Sequence, residues 1–296
     1  MMKSYLLGID IGTSACKVAV FDRNGKVLAA ASGDYPVYYP HEGWAEQNPE
    51  EWWDAVCRAT KETIQKADIT ADEIAGIGID GQSWSAIPID REGNVLANTP
   101  IWMDTRAQSI CDRLNQEIGQ EEIFEVAGNS LQPSYSTAKI LWYKENLPEV
   151  YAKIHKILQS NSYIAFKLTG AITQDVSQGY GLHCFNMKKG CWDEKMCKRL
   201  GIPMEFLPEI CDCDHVVGTV TGKAAAECGL VEGIPVVAGG LDAACGTLGA
   251  GVIHSGETQE QGGQAGGMSI CTEEYKADPR LILSYHVVPG KWLLQG

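Results

Sequence analysis

Positive charge is scarce in this chain. Its 296 residues carry 24 Lys and Arg against 38 Asp and Glu, for a formal net charge of −14. General nucleic-acid binding needs a basic footprint, so that class is excluded. An anionic ligand must be held by local donors and a metal against the overall field. Long apolar runs are missing too, with nothing near the ~20 residues of a membrane span. The N-terminus lacks a charged segment leading into an apolar stretch and a small-residue cleavage site. The expectation is a soluble, cytoplasmic protein with no membrane partner. Metal-ligand spacing is also absent. The six histidines form neither H-x-x-x-H nor H-E-x-x-H. Cys211-Asp-Cys213 is the only close pair among eleven cysteines, and it lacks the C-x-x-C spacing. A transition-metal site has no support, and the cysteines are expected to be free buried thiols. What is present is a 45% hydrophobic content, enough for a real core, and a length allowing one large domain or two ordinary ones.

Gly8-Ile-Asp-Ile-Gly-Thr-Ser14 is the most informative segment. Tyr5-Leu-Leu leads in, and Lys17-Val-Ala-Val-Phe21 leads out as a second strand. A carboxylate, a glycine and two hydroxyls therefore sit at a tight turn between β-strands, equipment suited to a nucleotide phosphate and its metal ion. In P-loop and dinucleotide folds the glycine turn opens a helix. Here it opens a strand with β-branched Val18 and Val20, then a turn at Asn24-Gly25 and a further strand. The hairpin points to an α/β protein of the actin-like ATPase, ribonuclease H-like fold: a mixed sheet opened by an antiparallel hairpin and flanked by helices.

Residues 4–38 read as three antiparallel strands and 48–66 as a helix. Asn48 is its N-cap, Pro49 suits the first position and Glu51 completes a capping-box-like pattern. Trp52, Ala55, Val56, Ala59 and Thr63 make its buried face. Ile74–Ile79 is a compact buried strand ending at Asp80-Gly-Gln-Ser-Trp-Ser85, and a second hairpin follows over 87–96. From 120 to about 210 the pattern reads as mostly helical. Pro235–Gly240 is another short strand and runs into a small-residue helix over 241–251. Residues 254–269 are glycine-rich and polar, and 282–294 reads as one or two strands. Strands alternating with helices make the chain α/β.

Seven segments in order now carry a resemblance: Gly8–Ser14 with Lys17, Gly43-Trp-Ala-Glu-Gln-Asn-Pro49 with Trp52-Trp53, Gly81-Gln82, Trp102-Met-Asp-Thr-Arg-Ala107, Ala138-Lys-Ile-Leu-Trp142, Asp175-Val-Ser177 and Gly239-Gly-Leu-Asp242. The chain resembles the FGGY carbohydrate kinases, most of all their xylulokinase branch. The resemblance implies an ATP-dependent sugar kinase whose two related domains hold sugar and ATP in the cleft between them. It divides the chain into an N-terminal sugar-binding domain over 1–250 and the first strands of an ATP-binding domain over 251–296. The adenosine pocket then lies beyond the chain, the 282–294 strands lack partners and expose an edge, and a fragment of this kind turns over poorly. Sugar and ATP are the expected partners, with Mg²⁺ as cofactor; a homodimer stays open.

Asp242 matches the family's general base, which takes the proton from a sugar hydroxyl as that oxygen attacks the γ-phosphorus. On position alone a helix N-cap is an equal reading. Gly12, Thr13 and Ser14 match phosphate contacts, Asp10 a Mg²⁺ ligand acting directly or through water. Lys17 either neutralises phosphate charge or is a solvated strand residue pointing away from the cleft. Gln82, Ser83, Trp84, Trp102, Asp104 and Tyr135 make the expected sugar pocket, with a core role as the alternative for Trp102. Four features depart from the family pattern. Ser83 and Trp84 stand where xylulokinases carry methionine and histidine, and Ala243 replaces an asparagine. The second phosphate segment, Glu260–Gly267, offers Gly262, Gly263 and Gln264 in place of a Gly-Thr-Ser turn. The substrate is then a xylulose-like ketose or a related polyol. Two other classes stay open: an actin-like ATPase of the assembly or chaperone type, and a sugar-binding module without catalysis.

Overall fold

The computed structural model describes residues 4–262 and 266–296. Strands β1 (Tyr5–Ile11), β2 (Ala15–Phe21) and β3 (Val27–Asp34) form the antiparallel opening. Gly25 turns β2 into β3 at φ +79°, a region open to glycine. Strand Ile74–Gly81 then pairs parallel to β1, placing Asp80 beside Asp10. Pro235–Val237 and Gly240–Leu241 both add parallel to Ile74–Gly81, and Val216–Thr219 closes the edge antiparallel. The result is a seven-stranded mixed sheet with β1 and Ile74–Gly81 at its centre.

Helix α1 (Pro49–Ala67) covers β2 and β3, and Ser160–Thr169 covers Ile74–Gly81. Trp52, Ala55, Val56, Ala59 and Thr63 are all buried, as the helical spacing predicts. The cap differs in one detail. Asn48 accepts from the Glu50 N–H, while the Glu51 carboxylate accepts from the Tyr38 hydroxyl, so no capping box forms. The expectation of free thiols also fails at one pair. Cys57 of α1 and Cys228 of helix Gly222–Cys228 are joined as a disulfide, because the two helices pack side by side.

The 120–210 stretch is less helical than its pattern suggests. Helices at Gln120–Ala127, Ser136–Asn146, Ser160–Thr169 and Glu194–Leu200 alternate with two- and three-residue strands. These strands are too short to leave a period-2 signal, and apart from the local pair Phe185–Asn186 with Cys191–Trp192 their partners are distant in sequence. Lys156–Leu158, for example, pairs with Ile87–Ile89.

A four-stranded antiparallel sheet ends the chain, in the order Thr258–Gln261, Gly267–Thr272, Trp292–Gln295, Ile282–Tyr285. The expected lack of partners is therefore corrected. Ile282–Tyr285 and Trp292–Gln295 pair with each other, and Gly267–Thr272 pairs with the second of them. The outer edge of Ile282–Tyr285 is covered at Leu283 by the Asn129 side chain, which donates to its carbonyl and accepts from its N–H. Cys271, Leu283 and Leu293 pack with Phe185, Leu241 and Ala244 in one apolar cluster.

Candidate active site

Three strand ends converge on one place. Asp10 is paired with Asp80 across β1 and Ile74–Gly81, and Asp80 with Gly240 across the next pair. Asp242 follows two residues later as the first residue of helix Asp242–Gly249. Gly239 makes this approach possible. Its φ is +72°, and an added Cβ would overlap the Ile79 carbonyl. Asp242 is partly buried, and one of its oxygens accepts from the Ala243 N–H at 2.7 Å. It is thus both a helix-start residue and a member of the acid cluster. Burial pushes its pKa up to about 6; Asp10 adds to the rise, while the Ala243 N–H and Lys17 oppose it. Asp80 is pushed up as well, first by burial, then by Asp10 and Asp242. Burial and the neighbouring Asp10 thus favour the protonated form of Asp80.

Lys17 stands opposite Asp10 on β2 and donates to its carboxylate at 3.0 Å. Its side chain is 71% exposed, yet it faces the acids: Asp10 raises its pKa, and Asp80 and Asp242 add to that. Lys17 is thus solvated, as one of its two expected roles has it, but it is turned toward Asp10 and not away from it. The neighbouring turn is tied down by its carbonyls. The Gly12 carbonyl accepts from the Tyr35 hydroxyl at 2.6 Å and from Gln82 Nε2 at 3.4 Å, and the Thr13 carbonyl from Gln47 Nε2 at 2.8 Å. With the carbonyls turned inward, the N–H groups of Thr13 and Ser14 make no hydrogen bond among the described residues. That leaves donors for an anion, an arrangement like the backbone nests that hold phosphate.

The aromatic residues form a wall beside this turn. Trp84 stacks on Tyr135 at 4.2 Å between centroids, and Tyr180 meets both edge-on. The Ser83 hydroxyl lies 3.0 Å from that of Tyr180. Trp84 holds φ +62°, a left-handed conformation that costs a bulky residue about 1–3 kcal/mol. Its carbonyl, with that of Ile101, accepts from the buried Lys139 ammonium, each at 2.8 Å. Burial lowers the Lys139 pKa to about 7. Trp102 is only partly buried, and its Nε1 donates to Thr13 Oγ1 at 3.0 Å, which ties it to the Gly12–Ser14 turn. Gln82 is buried, with Nε2 also donating to Gln47 and Oε1 lacking a partner.

Asp104 is not brought together with these groups. It is fully buried, and its two oxygens accept from the Ala45 and Arg106 N–H groups and the Arg106 guanidinium. Arg106 in turn pairs with Glu46 and lies 3.9 Å over the Trp44 ring. Gly262 is an exposed loop residue after Thr258–Gln261, and Gly263 and Gln264 lie outside the described residues.

Sequence reasoning missed Asp80, Tyr180 and Lys139 as site residues. Asp80 carried a signal: it ends a buried strand, as Asp10 nearly does. Tyr180 sits in the single 3-10 turn Gly179–Gly181, and no sequence pattern marks it. Among the described residues, no group of three or more His, Cys, Asp or Glu is placed to hold a metal ion alone. The acid cluster, with one lysine, carries surplus negative charge. That suits a Mg²⁺ ion, which takes one or two carboxylates and completes its shell with phosphate oxygens and water.

Comparison with known proteins shows the family and the fold. The model of the FGGY family of carbohydrate kinases, N-terminal domain, matches residues 5–249. The chain is 33% identical over 274 residues to a xylulose kinase of Bacillus subtilis (strain 168), covering 93% of this chain and 55% of that protein. The solved xylulose kinase of Rhodospirillum rubrum superposes with a TM-score of 0.94 at 29% identity, over 99% of this chain and 60% of the other. A Plasmodium falciparum glycerol kinase solved with ADP superposes with a TM-score of 0.90 at 25% identity, again over 99% and 60%. The chain thus spans 55% to 60% of the length of these relatives.

Proposed function

Because the chain belongs to the FGGY family of carbohydrate kinases, we propose that it supplies the sugar-binding half of a kinase transferring the γ-phosphoryl group of ATP to a sugar hydroxyl. Its fold is the actin-like ATPase fold of those kinases. The observation that carries the reading is the meeting of Asp10, Asp80 and Asp242 with Lys17 beside the Gly12–Ser14 turn. Asp242 is the general base. One oxygen is occupied by the Ala243 N–H, and the other receives the proton of the attacking hydroxyl. Its raised pKa suits a base working near neutral pH. Thr13 and Ser14 N–H groups and Lys17 hold phosphate oxygens. Asp10 holds Mg²⁺, which when bound neutralises phosphate charge.

Trp84, backed on one side by the buried Tyr135 ring, stacks on the apolar face of the sugar, and Ser83 and Gln82 bind its hydroxyls. Relatives named xylulose kinase support a xylulose-like ketose or a related polyol as the substrate. Residues 1–250 are the sugar-binding domain, and 251–296 begin the ATP-binding domain. The protein works in the cytoplasm; among the described residues no helix is long and apolar enough to cross a membrane. A coupled ADP-release assay of the full-length protein against ketoses and polyols tests the reading. Sugar-dependent ADP release is expected, and ADP release that ignores every sugar would favour the assembly ATPase class.

A further inference from the structure

The segment that delivers Asp242 is suspended from a second, fully buried carboxylate. Asp175 ends the short strand Thr173–Asp175 and has no solvent contact to speak of, at 1% exposure. Its Oδ1 accepts from the Ser177 hydroxyl at 2.5 Å and the Gln178 N–H at 2.9 Å. Its Oδ2 accepts from Asn161 Nδ2 at 2.9 Å and Gln174 Nε2 at 3.2 Å. A buried carboxylate needs such donors to be tolerated at all.

Two of those donors reach onward to the turn before Asp242. Asn161 Nδ2 also donates to the Ala238 carbonyl at 3.1 Å. The Ser177 hydroxyl, its proton committed to Asp175, accepts from the Leu241 N–H at 2.9 Å. The turn is therefore gripped at 238 and at 241, the residue before the base. Between the grips, Gly239 and Gly240 fit against Ile79 and Ser177 with no room for a Cβ.

We propose that Asp175 and Ser177 are positioning residues for the reaction, holding the Leu241 N–H so that the Asp242 carboxylate keeps its place against the acceptor hydroxyl. The polarity of the chain matters. Asp175 accepts only, so it fixes the serine proton on its own side and turns the serine lone pairs toward Leu241. Asn161 serves the other end in the same way. The proposal rests on the reading of Asp242 as the base. It joins two segments 64 residues apart, Asp175–Ser177 and Gly239–Asp242, into one device.

The test uses Ser177→Ala and Ser177→Thr in the full-length protein. Misplacing a reacting group by an ångström costs up to roughly 100-fold in rate. Ser177→Ala is expected to lower kcat by roughly 10- to 100-fold while KM for sugar and for ATP stays within about twofold. The Leu241 amide should exchange faster with deuterium in that variant. Ser177→Thr keeps the hydroxyl and should keep most of kcat. If Ser177→Ala does not fold, Ser177→Cys replaces it, a thiol being a weak acceptor of similar size. Full kcat in the variant lacking the hydroxyl, unchanged Leu241 protection, or Ser177→Thr as slow as Ser177→Ala would each overturn the proposal. A wild-type protein inactive with every sugar contradicts the kinase reading instead. The Leu241 exchange then still decides whether Ser177 fixes the turn.

Discussion

The acid end of the site and its aromatic wall are built by different means. Asp10, Asp80 and Asp242 stand together because β1, Ile74–Gly81 and Gly240–Leu241 are hydrogen-bonded neighbours in fixed register. A slip of one residue would turn those side chains to the other face of the sheet. Trp84 after strand Ile74–Gly81, Tyr135 at the start of helix Ser136–Asn146 and Tyr180 in the 3-10 turn Gly179–Gly181 meet through ring contacts and one hydroxyl pair. Ring packing tolerates exchange of one shape for another far better than a ladder tolerates a shift. The same chemistry can then be kept while the wall is rebuilt for another sugar. The departures expected at Ser83 and Trp84 fall on the wall, Ala243 lies beside Asp242 with its N–H on that carboxylate, and none falls on the three acids.

The largest effect that would break this division is at the base. Asp242→Asn should lower kcat by roughly 10²–10⁴ and leave the sugar KM nearly unchanged, as steady-state kinetics would read. Trp84→Ala should do the reverse. Losing a stacked ring costs on the order of 1 kcal/mol or more, so the sugar KM should rise about tenfold with kcat largely kept. A wall variant that abolished kcat would merge the two regions. The pH profile sharpens the comparison next. As the proposed general base, Asp242 must be deprotonated, so kcat/KM should climb with pH through about 6 and level off above it. Trp84→Ala should leave that midpoint in place.

The smallest effect is on stability. Asp80 keeps its proton in the folded chain to a pH well above the ordinary carboxylate range. Unfolding releases that proton, so its contribution is complete at low pH and is lost as pH rises toward the folded value. Asp80→Asn removes the dependence. The variant should melt a few degrees higher than wild type at pH 8 and no higher at pH 3.5. A thermal melt at both pH values checks the sign.

Much of the acid end was legible in the sequence, because strand alternation and turn chemistry are local. β1, β2, β3 and the Asn48-capped helix follow from spacing alone, and Asp10 and Asp242 sit in short motifs at their ends. No capping box forms because the Glu51 carboxylate is turned to the Tyr38 hydroxyl, 13 residues away, instead of to the Asn48 N–H. The Cys57–Cys228 pair, 171 residues apart, has no local signature. The contacts of Tyr180 and Lys139 are likewise tertiary, and so is the burial of Asp104, whose carboxylate is engaged by Arg106. The strands between 120 and 210 were hidden by their length. The polar strand Thr258–Gln261 lacks the apolar alternation that would announce it.

The central claim is that the acid end performs the transfer while the wall holds the sugar. Calorimetric titration of the full-length Asp242→Asn protein with the sugar that the wild type phosphorylates tests it most directly. The account predicts a dissociation constant within about threefold of the wild-type value, well under 1 kcal/mol of binding energy, in a protein whose turnover is lost. Sugar binding lost together with turnover, or turnover kept, would contradict it.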